Sequence, residues 1–239
     1  GSVEVTKDHK MLRVNDGKTE WVEAKSLKPG NYLVTPNKFI REAEDISLSK
    51  LLPKKTKSSE SFIFSLEDDE IHLDKDFDPV SIYYIIGMLD VYGTLSPGKI
   101  VFNANNVQIA HHFCRSIQSV FGVEPVVIGS SVLIANKLVC RILIKASKTL
   151  LTQNDACLEK YLSGYLDIYG YIKPNDRHPK IVLPIDSIEQ LPRCSTIKTR
   201  LRKSLNALGI INVQELDAVI FIDDIDEIKK LKPLLTFLI

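Results

Sequence analysis

The chain has 239 residues, 44% hydrophobic and 26% charged, with a formal net charge of +1. That composition excludes a disordered protein, and the near-neutral charge excludes a bulk bias toward nucleic acid or membrane, although single faces can still carry local charge. No apolar run approaches the ~20 residues that span a bilayer, and Cys114, Cys140, Cys157 and Cys194 show neither CxxC nor zinc-ligand spacing, so reduced, mostly buried thiols in an intracellular, non-secreted protein are expected.

In chain order, Val3-Glu4-Val5-Thr6 and Met11-Leu12-Arg13-Val14 are short β-type runs. Asn15-Asp16-Gly17-Lys18 is a tight-turn sequence, and Glu20-Trp21-Val22-Glu23 continues as a strand. Leu27-Lys28-Pro29-Gly30-Asn31 places Pro then Gly where a type II turn wants them. These residues predict a small, twisted β unit.

The same stretch, Thr6-Lys7-Asp8-His9 followed by a strand and then Trp21 through Leu33, resembles the middle of the Hint fold of inteins. The resemblance covers roughly thirty residues and implies that Thr6 and His9 match the pair that polarises the scissile peptide at the upstream splice junction. It also implies a host protein flanking the segment. Splicing further requires a Cys or Ser nucleophile at the start of the intein and His-Asn at its end. This chain ends Leu235-Thr236-Phe237-Leu238-Ile239, so no self-splicing is expected of it.

Leu52 through Ser61 is Lys- and Ser-rich and reads as an exposed linker. Glu67-Asp68-Asp69-Glu70 with Asp74, Asp76 and Asp78 reads as a solvated acidic patch off any phosphate path. It lacks the Gly and the bidentate Glu of an EF-hand loop.

Asp78-Pro79 reads as a helix start, with Asp as N-cap and Pro at the first helical position. The helix carries Ile85-Ile86-Gly87-Met88-Leu89-Asp90-Val91-Tyr92-Gly93, which recurs 77 residues later as Leu162-Ser163-Gly164-Tyr165-Leu166-Asp167-Ile168-Tyr169-Gly170. Gly costs about 1 kcal/mol relative to Ala in a helix interior, so Gly87 and Gly164 predict two helices crossing with backbones in contact. Gly93 and Gly170 read as helix stops, Gly93 in the left-handed conformation. Asn154 or Asp155 can cap the second motif helix.

After the first motif come a turn at Ser96-Pro97-Gly98, a strand over 99–102, a helix over 107–121 ending at Gly122, and β-rich runs at 126–128, 132–134 and 139–144. After the second come a loop over 173–179, a strand over 180–185, a helical region over 187–208 ending at Gly209, a strand over 218–222 and a terminal helix over 225–238. Repetition of one element order implies two related halves.

The paired nonapeptides resemble the LAGLIDADG motifs of intein-encoded homing endonucleases. The resemblance implies an α+β fold, a single-chain pseudo-dimer of two αββαββα halves preceded by a small β-rich Hint-derived segment. The expected boundaries are 3–60 for the partial Hint segment and linker, 61–150 for the first half and 151–239 for the second. Family members cut duplex DNA with Mg²⁺ held by an acid at the eighth motif position of each helix. Here those positions are Tyr92 and Tyr169, and a neutral phenol is a poor ligand for a hard dication. Asp90 and Asp167 sit two residues earlier, roughly 200° round the helix, and are expected to be structural. No catalytic residue, metal site or cofactor is therefore expected, with Mg²⁺ relevant only if cleavage is retained.

The resemblance also implies DNA contact by antiparallel strands in the major groove. Candidates are Lys99, Asn103, Asn105 and Asn106 on the first hairpin, and Lys173, Asn175, Arg177, His178 and Lys180 on the longer second one. A helical cluster adds Arg193, Lys198, Arg200, Arg202 and Lys203. The expected protein is a monomeric, membrane-free, intein-derived module that does not cleave and retains some double-stranded DNA binding. Three other readings stay open: a domesticated DNA-binding regulator, a protein-interaction module of the same fold, and an active nuclease using non-standard acids.

Overall fold

The computed structural model describes residues 6–8, 10–15, 18–28, 32–33, 55–57, 61–74, 77–173, 179–185, 191–216, 219–231 and 234. Contacts divide the chain into Gly1–Ile40 and Arg41–Ile239.

In the first unit, β1 (Lys10–Asn15) and β2 (Lys18–Glu23) pair with Asn15 opposite Lys18, so two residues connect the strands, as the tight-turn sequence predicts. Arg13 and Glu20 face each other across the ladder and form an ion pair of 2.7 Å. A 3₁₀ turn, Ala24–Ser26, leads toward β3 (Tyr32–Leu33), which adds to the other edge of β1. Thr6 is exposed. His9, the Val3–Val5 run and the Pro29-Gly30-Asn31 turn lie outside the described residues.

The second unit begins with β4 (Lys55–Lys57), β5 (Ser61–Leu66) and β6 (Asp69–Asp74), an antiparallel sheet in sequence order. Where a linker is expected the chain forms a paired strand, while the acids Glu67, Asp68, Glu70 and Asp78 are exposed, as the solvated acidic patch requires. Phe64, Ile71 and Leu73 alternate with polar residues and are buried, so the stretch has a strand's period of two and one face in the core.

The first half then runs α1 (Ser81–Tyr92), β7 (Gly93–Ser96), β8 (Lys99–Asn103), α2 (Val107–Phe121), β9 (Val126–Ile128), β10 (Ser131–Ile134) and α3 (Lys137–Thr149), followed by a 3₁₀ turn, Leu150–Thr152. The second runs α4 (Asp155–Tyr169), β11 (Tyr171–Lys173), β12 (Lys180–Pro184), α5 (Leu191–Ala207), β13 (Gln214–Leu216), β14 (Val219–Ile222) and α6 (Ile225–Leu231). The sheets have the same strand order, β7-β8-β10-β9 and β11-β12-β14-β13. The α+β fold of two αββαββα halves is thus present in the topology itself. No described helix is long and apolar enough to cross a membrane.

One expected strand is a helix. The apolar run over 139–144 has β-type composition, but Asn136 accepts a hydrogen bond from Val139 N and starts α3. Leu138, Val139, Ile142, Leu143 and Ala146 are buried at helical spacing. Asp69 accepts from the backbone N–H of Lys137, and Glu67 pairs with the Lys137 side chain, so the acidic turn caps this helix while Glu67, Asp68 and Glu70 remain exposed. Asn106 and Asn154 cap α2 and α4 in the same way as Asn136. Asp78 accepts from Val80 N in a tight turn, and the α-helix begins at Ser81.

The core is organised around the crossing of α1 and α4. A Cβ at Gly87 would overlap the backbone oxygen of Tyr161, and one at Gly164 would overlap that of Tyr84. The two glycines are what let the backbones touch. Gly93 and Gly170 are not left-handed: their φ,ψ values are −96°,147° and −70°,145°. Each turns the chain straight from helix into strand, and a Cβ there would meet the side chain of Leu89 or Leu166 one turn earlier. All four cysteines are free; Cys140 and Cys157 are buried, while Cys114 and Cys194 are half-buried.

Candidate functional site

Because α1 and α4 both end where their sheets begin, their last residues meet between the two sheets. Tyr92 and Tyr169 stand there half-buried, with ring centroids 5.9 Å apart and planes at 72°. Tyr92 also meets Phe102 edge-on, and Tyr169 meets Tyr165. Burial, and then the neighbouring Tyr169, hold the Tyr92 phenol above its ordinary pKa. The pair therefore presents neutral hydroxyls and ring edges to this floor.

The two acids two residues earlier are spent on the crossing. Tyr161 donates to Asp90 Oδ2 at 2.9 Å, and Tyr84 donates to Asp167 Oδ2 at 2.6 Å. Tyr84 and Tyr161 are themselves 77 residues apart, each directly before its nonapeptide. Each half thus offers its tyrosine to the other half's aspartate. The repeat extends one residue further than the nonapeptide, and that extra tyrosine was the sequence signal for the clasp.

The third partner differs. Arg200 Nη1 reaches both Asp90 oxygens, at 2.9 and 2.7 Å, and its Nη2 donates to Ser147 O and Oγ. Arg200 is 7% exposed. On the other side, Tyr84 spends its only proton on Asp167, so His112 Nε2, 2.7 Å away, must donate to the phenol oxygen. Burial raises the Asp167 pKa, with Tyr84 and His112 opposing it, and burial lowers the His112 pKa against the pull of Asp167.

A hard divalent cation does not fit this set. The two side chains at the floor are phenols, Asp90 is saturated by Arg200 and Tyr161, and Asp167 lies on the far flank of the crossing. Among the described residues no group of three or more His, Cys, Asp or Glu converges.

Of the helical basic cluster, Arg200 is removed from any outer surface by its buried pair with Asp90. Lys203 donates to Leu151 O, and Lys198 and Arg202 both pair with Glu215, at 3.0 and 2.7 Å. Residues directly opposite in antiparallel strands share a face. On the open face of the first sheet this places Lys99, Val101, Asn103, Leu133, Val126 and Ile128. Asn103 accepts from Ser131 there, while Asn105, exposed beyond the strand end, accepts from Asn106, the cap of α2. On the second sheet Lys173 and Lys180 lie opposite one another, and Lys180 reaches Asp223 at 3.3 Å. Asn175, Arg177 and His178, and the side chain of Arg193, lie outside the described residues.

No protein-family profile matches the chain, and no curated protein matches it. Among solved structures, mesophilic variants of the homing endonuclease I-DmoI are 16% identical, with a TM-score of 0.47 over 66% of this chain and 98% of theirs. An I-DmoI variant in complex with its nicked target DNA and manganese is 15% identical, with a TM-score of 0.47 over 66% of this chain and 98% of that one. Full-length DUF199/WhiA from Thermatoga maritima is 17% identical, with a TM-score of 0.46 over 66% of this chain and 55% of that chain.

Proposed function

We propose that the chain is an intein-derived homing-endonuclease-type module that binds double-stranded DNA and does not cut it. The observation that carries this reading is the floor of the crossing. Phenols occupy both positions where the LAGLIDADG resemblance puts metal-holding acids, and the nearest acids are engaged by Tyr161, Arg200 and Tyr84. Without a carboxylate pair nothing at the floor holds a metal between attacking water and phosphate. In this reading residues 3–60 are the remnant of a Hint segment with Thr6 and His9 as its surviving motif, residues 61–150 and 151–239 are the two halves, and the module acts as a monomer within its host protein. Its DNA contact is led by the second sheet, where Lys173 and Lys180 stand opposite one another at the hairpin and the connecting sequence adds Asn175, Arg177 and His178.

The test combines cleavage and binding. Incubation with duplex libraries and Mg²⁺ or Mn²⁺ is expected to give no specific double-strand cuts; such cuts overturn the reading. Binding at low salt is expected to weaken steeply as salt rises, and Lys173→Ala to reduce the magnitude of the log–log slope by about one. Absence of duplex binding at low salt removes the DNA half of the proposal.

A second reading, a protein-interaction surface, is favoured by the first sheet. Its edge strand exposes Val126 at 56% and Ile128 at 70%, beside Lys99 as the only charged residue among the described strand residues of that face. An apolar edge with unpaired backbone groups suits an added strand better than a phosphate backbone.

A further inference from the structure

The internal repeat makes Asp90 and Asp167 equivalent, yet their surroundings differ in one component. Asp90 receives Tyr161 and both contacts of the Arg200 guanidinium. Asp167 receives Tyr84 on Oδ2, and among the described residues no hydrogen bond reaches its Oδ1 and no cation pairs with it. Arg200, Ser147 and the Leu150–Thr152 turn fill the flank beside Asp90. Beside Asp167 there is instead a cavity of about 690 Å³ between α1, α2 and α4.

The chemistry of that cavity is acceptor-rich. Ser116 Oγ donates to His112 O, and Ser163 Oγ donates to Glu159 O, each one turn back on its own helix. Their protons are spent, so their lone pairs face outward as acceptors. Ser147 plays that part toward Arg200 on the occupied flank. Asp78 and Glu159 add negative charge to the wall; the cations on it, Arg115 and Lys160, are exposed, and the charge of Lys160 acts on Asp167 without a salt bridge among the described residues. Burial raises the Asp167 pKa and outweighs the opposing pull of Tyr84, His112 and Lys160.

We infer that this cavity binds the guanidinium group of an arginine-like ligand, seated on Asp167 Oδ1 and the hydroxyls of Ser116 and Ser163 as Arg200 is seated on Asp90 and Ser147. A planar fork of N–H donors matches a carboxylate edge with flanking hydroxyls; a single ammonium matches it less well. The inference does not depend on the DNA reading, because the cavity flanks the crossing and involves neither Tyr92 nor Tyr169.

The experiment uses the full chain, with L-argininamide as probe, L-lysinamide as control, and the His112 ring NMR signal and thermal melting as readouts. Saturable binding of argininamide is expected, preferred over lysinamide and weakened at least about tenfold in Asp167→Asn. Since that variant could disturb the clasp, Ser116→Arg serves as a second probe. It supplies a guanidinium from α2 itself and is expected to raise the melting temperature and abolish argininamide binding. A capped Gly-Arg-Gly peptide separates the sources: tighter binding than argininamide points to an arginine within a polypeptide, and equal binding to a free small molecule. Unsaturable shifts, equal response to lysinamide, or unchanged affinity in Asp167→Asn overturn the inference.

Discussion

On one flank of the α1–α4 crossing an aspartate is held by a buried tyrosine and a buried arginine, the arginine itself anchored on a half-buried serine; on the other an equivalent aspartate is held by a tyrosine that a histidine supports, beside an open cavity. The tyrosine–aspartate contacts obey the repeat, so they belong to the packing both halves share. The basic partners do not, so they are where the halves have diverged. The shared contacts thus lie in the packing, and the asymmetry lies in which basic side chain reaches each aspartate.

The largest expected effect comes from removing the cation from the Asp90 flank. Arg200→Met leaves Asp90 charged, buried and unpaired, and is expected to cost about 3–5 kcal/mol in urea denaturation. His112→Gln on the open flank is expected to cost under about 1 kcal/mol. Equal losses would mean the flanks are energetically alike and the asymmetry is only geometric.

The glycines sharpen the shared part. Gly87→Ala and Gly164→Ala each drive a methyl into facing backbone, and each is expected to cost near the upper end of about 1–3 kcal/mol, to a similar extent. A tolerated alanine at either site would show that the helices can separate there.

The tyrosines come next. Tyr161→Phe is expected to cost about 1–2 kcal/mol, because a buried carboxylate loses a donor. Tyr84→Phe is expected to cost less, since water from the cavity can replace the hydroxyl. Thermal melts of the two variants, side by side, decide the order.

The smallest effect is in pH. The folded pKa of Asp167 is raised above the ordinary aspartate value near about 4, so between the two values the native state holds a proton the unfolded state has lost. Stability from this group is present at low pH and falls as pH rises through that window. His112 runs the other way. Its folded pKa is lowered below about 6.5, so the unfolded state takes up the proton first, and stability falls as pH drops through its window. Relative to wild type, Asp167→Asn is expected to lose less stability on going from about pH 4 upward, and His112→Gln to lose less on going from about pH 6.5 downward. A difference melt against pH that is flat for both variants would remove the open flank from the titration.

Much of the frame was legible because its causes are local. Helix over 107–121 follows from apolar spacing, an Asn cap and Gly122, whose φ of 64° ends it. The crossing follows from two mid-helix glycines, each unfavourable unless backbone packs there. The run over 139–144 has strand-like composition yet forms a helix, because β-branched composition and helical burial compete and only the neighbouring sheet decides which face is covered. The acidic stretch is solvent-facing as expected, but charge at its turn masks the strand period that buries Phe64, Ile71 and Leu73.

Spacing along the chain already carries the two halves, the contact of their motif helices through Gly87 and Gly164, and a tyrosine near the end of each motif helix. These are identities and spacings within one or two helical turns. The tertiary structure alone decided that Arg200 belongs to Asp90, 110 residues away, and not to an outer surface, and that His112 reaches Asp167 through Tyr84. A charge's partner depends on the angle and register at which distant helices cross, and a one-turn change in either would bring a different side chain to each aspartate.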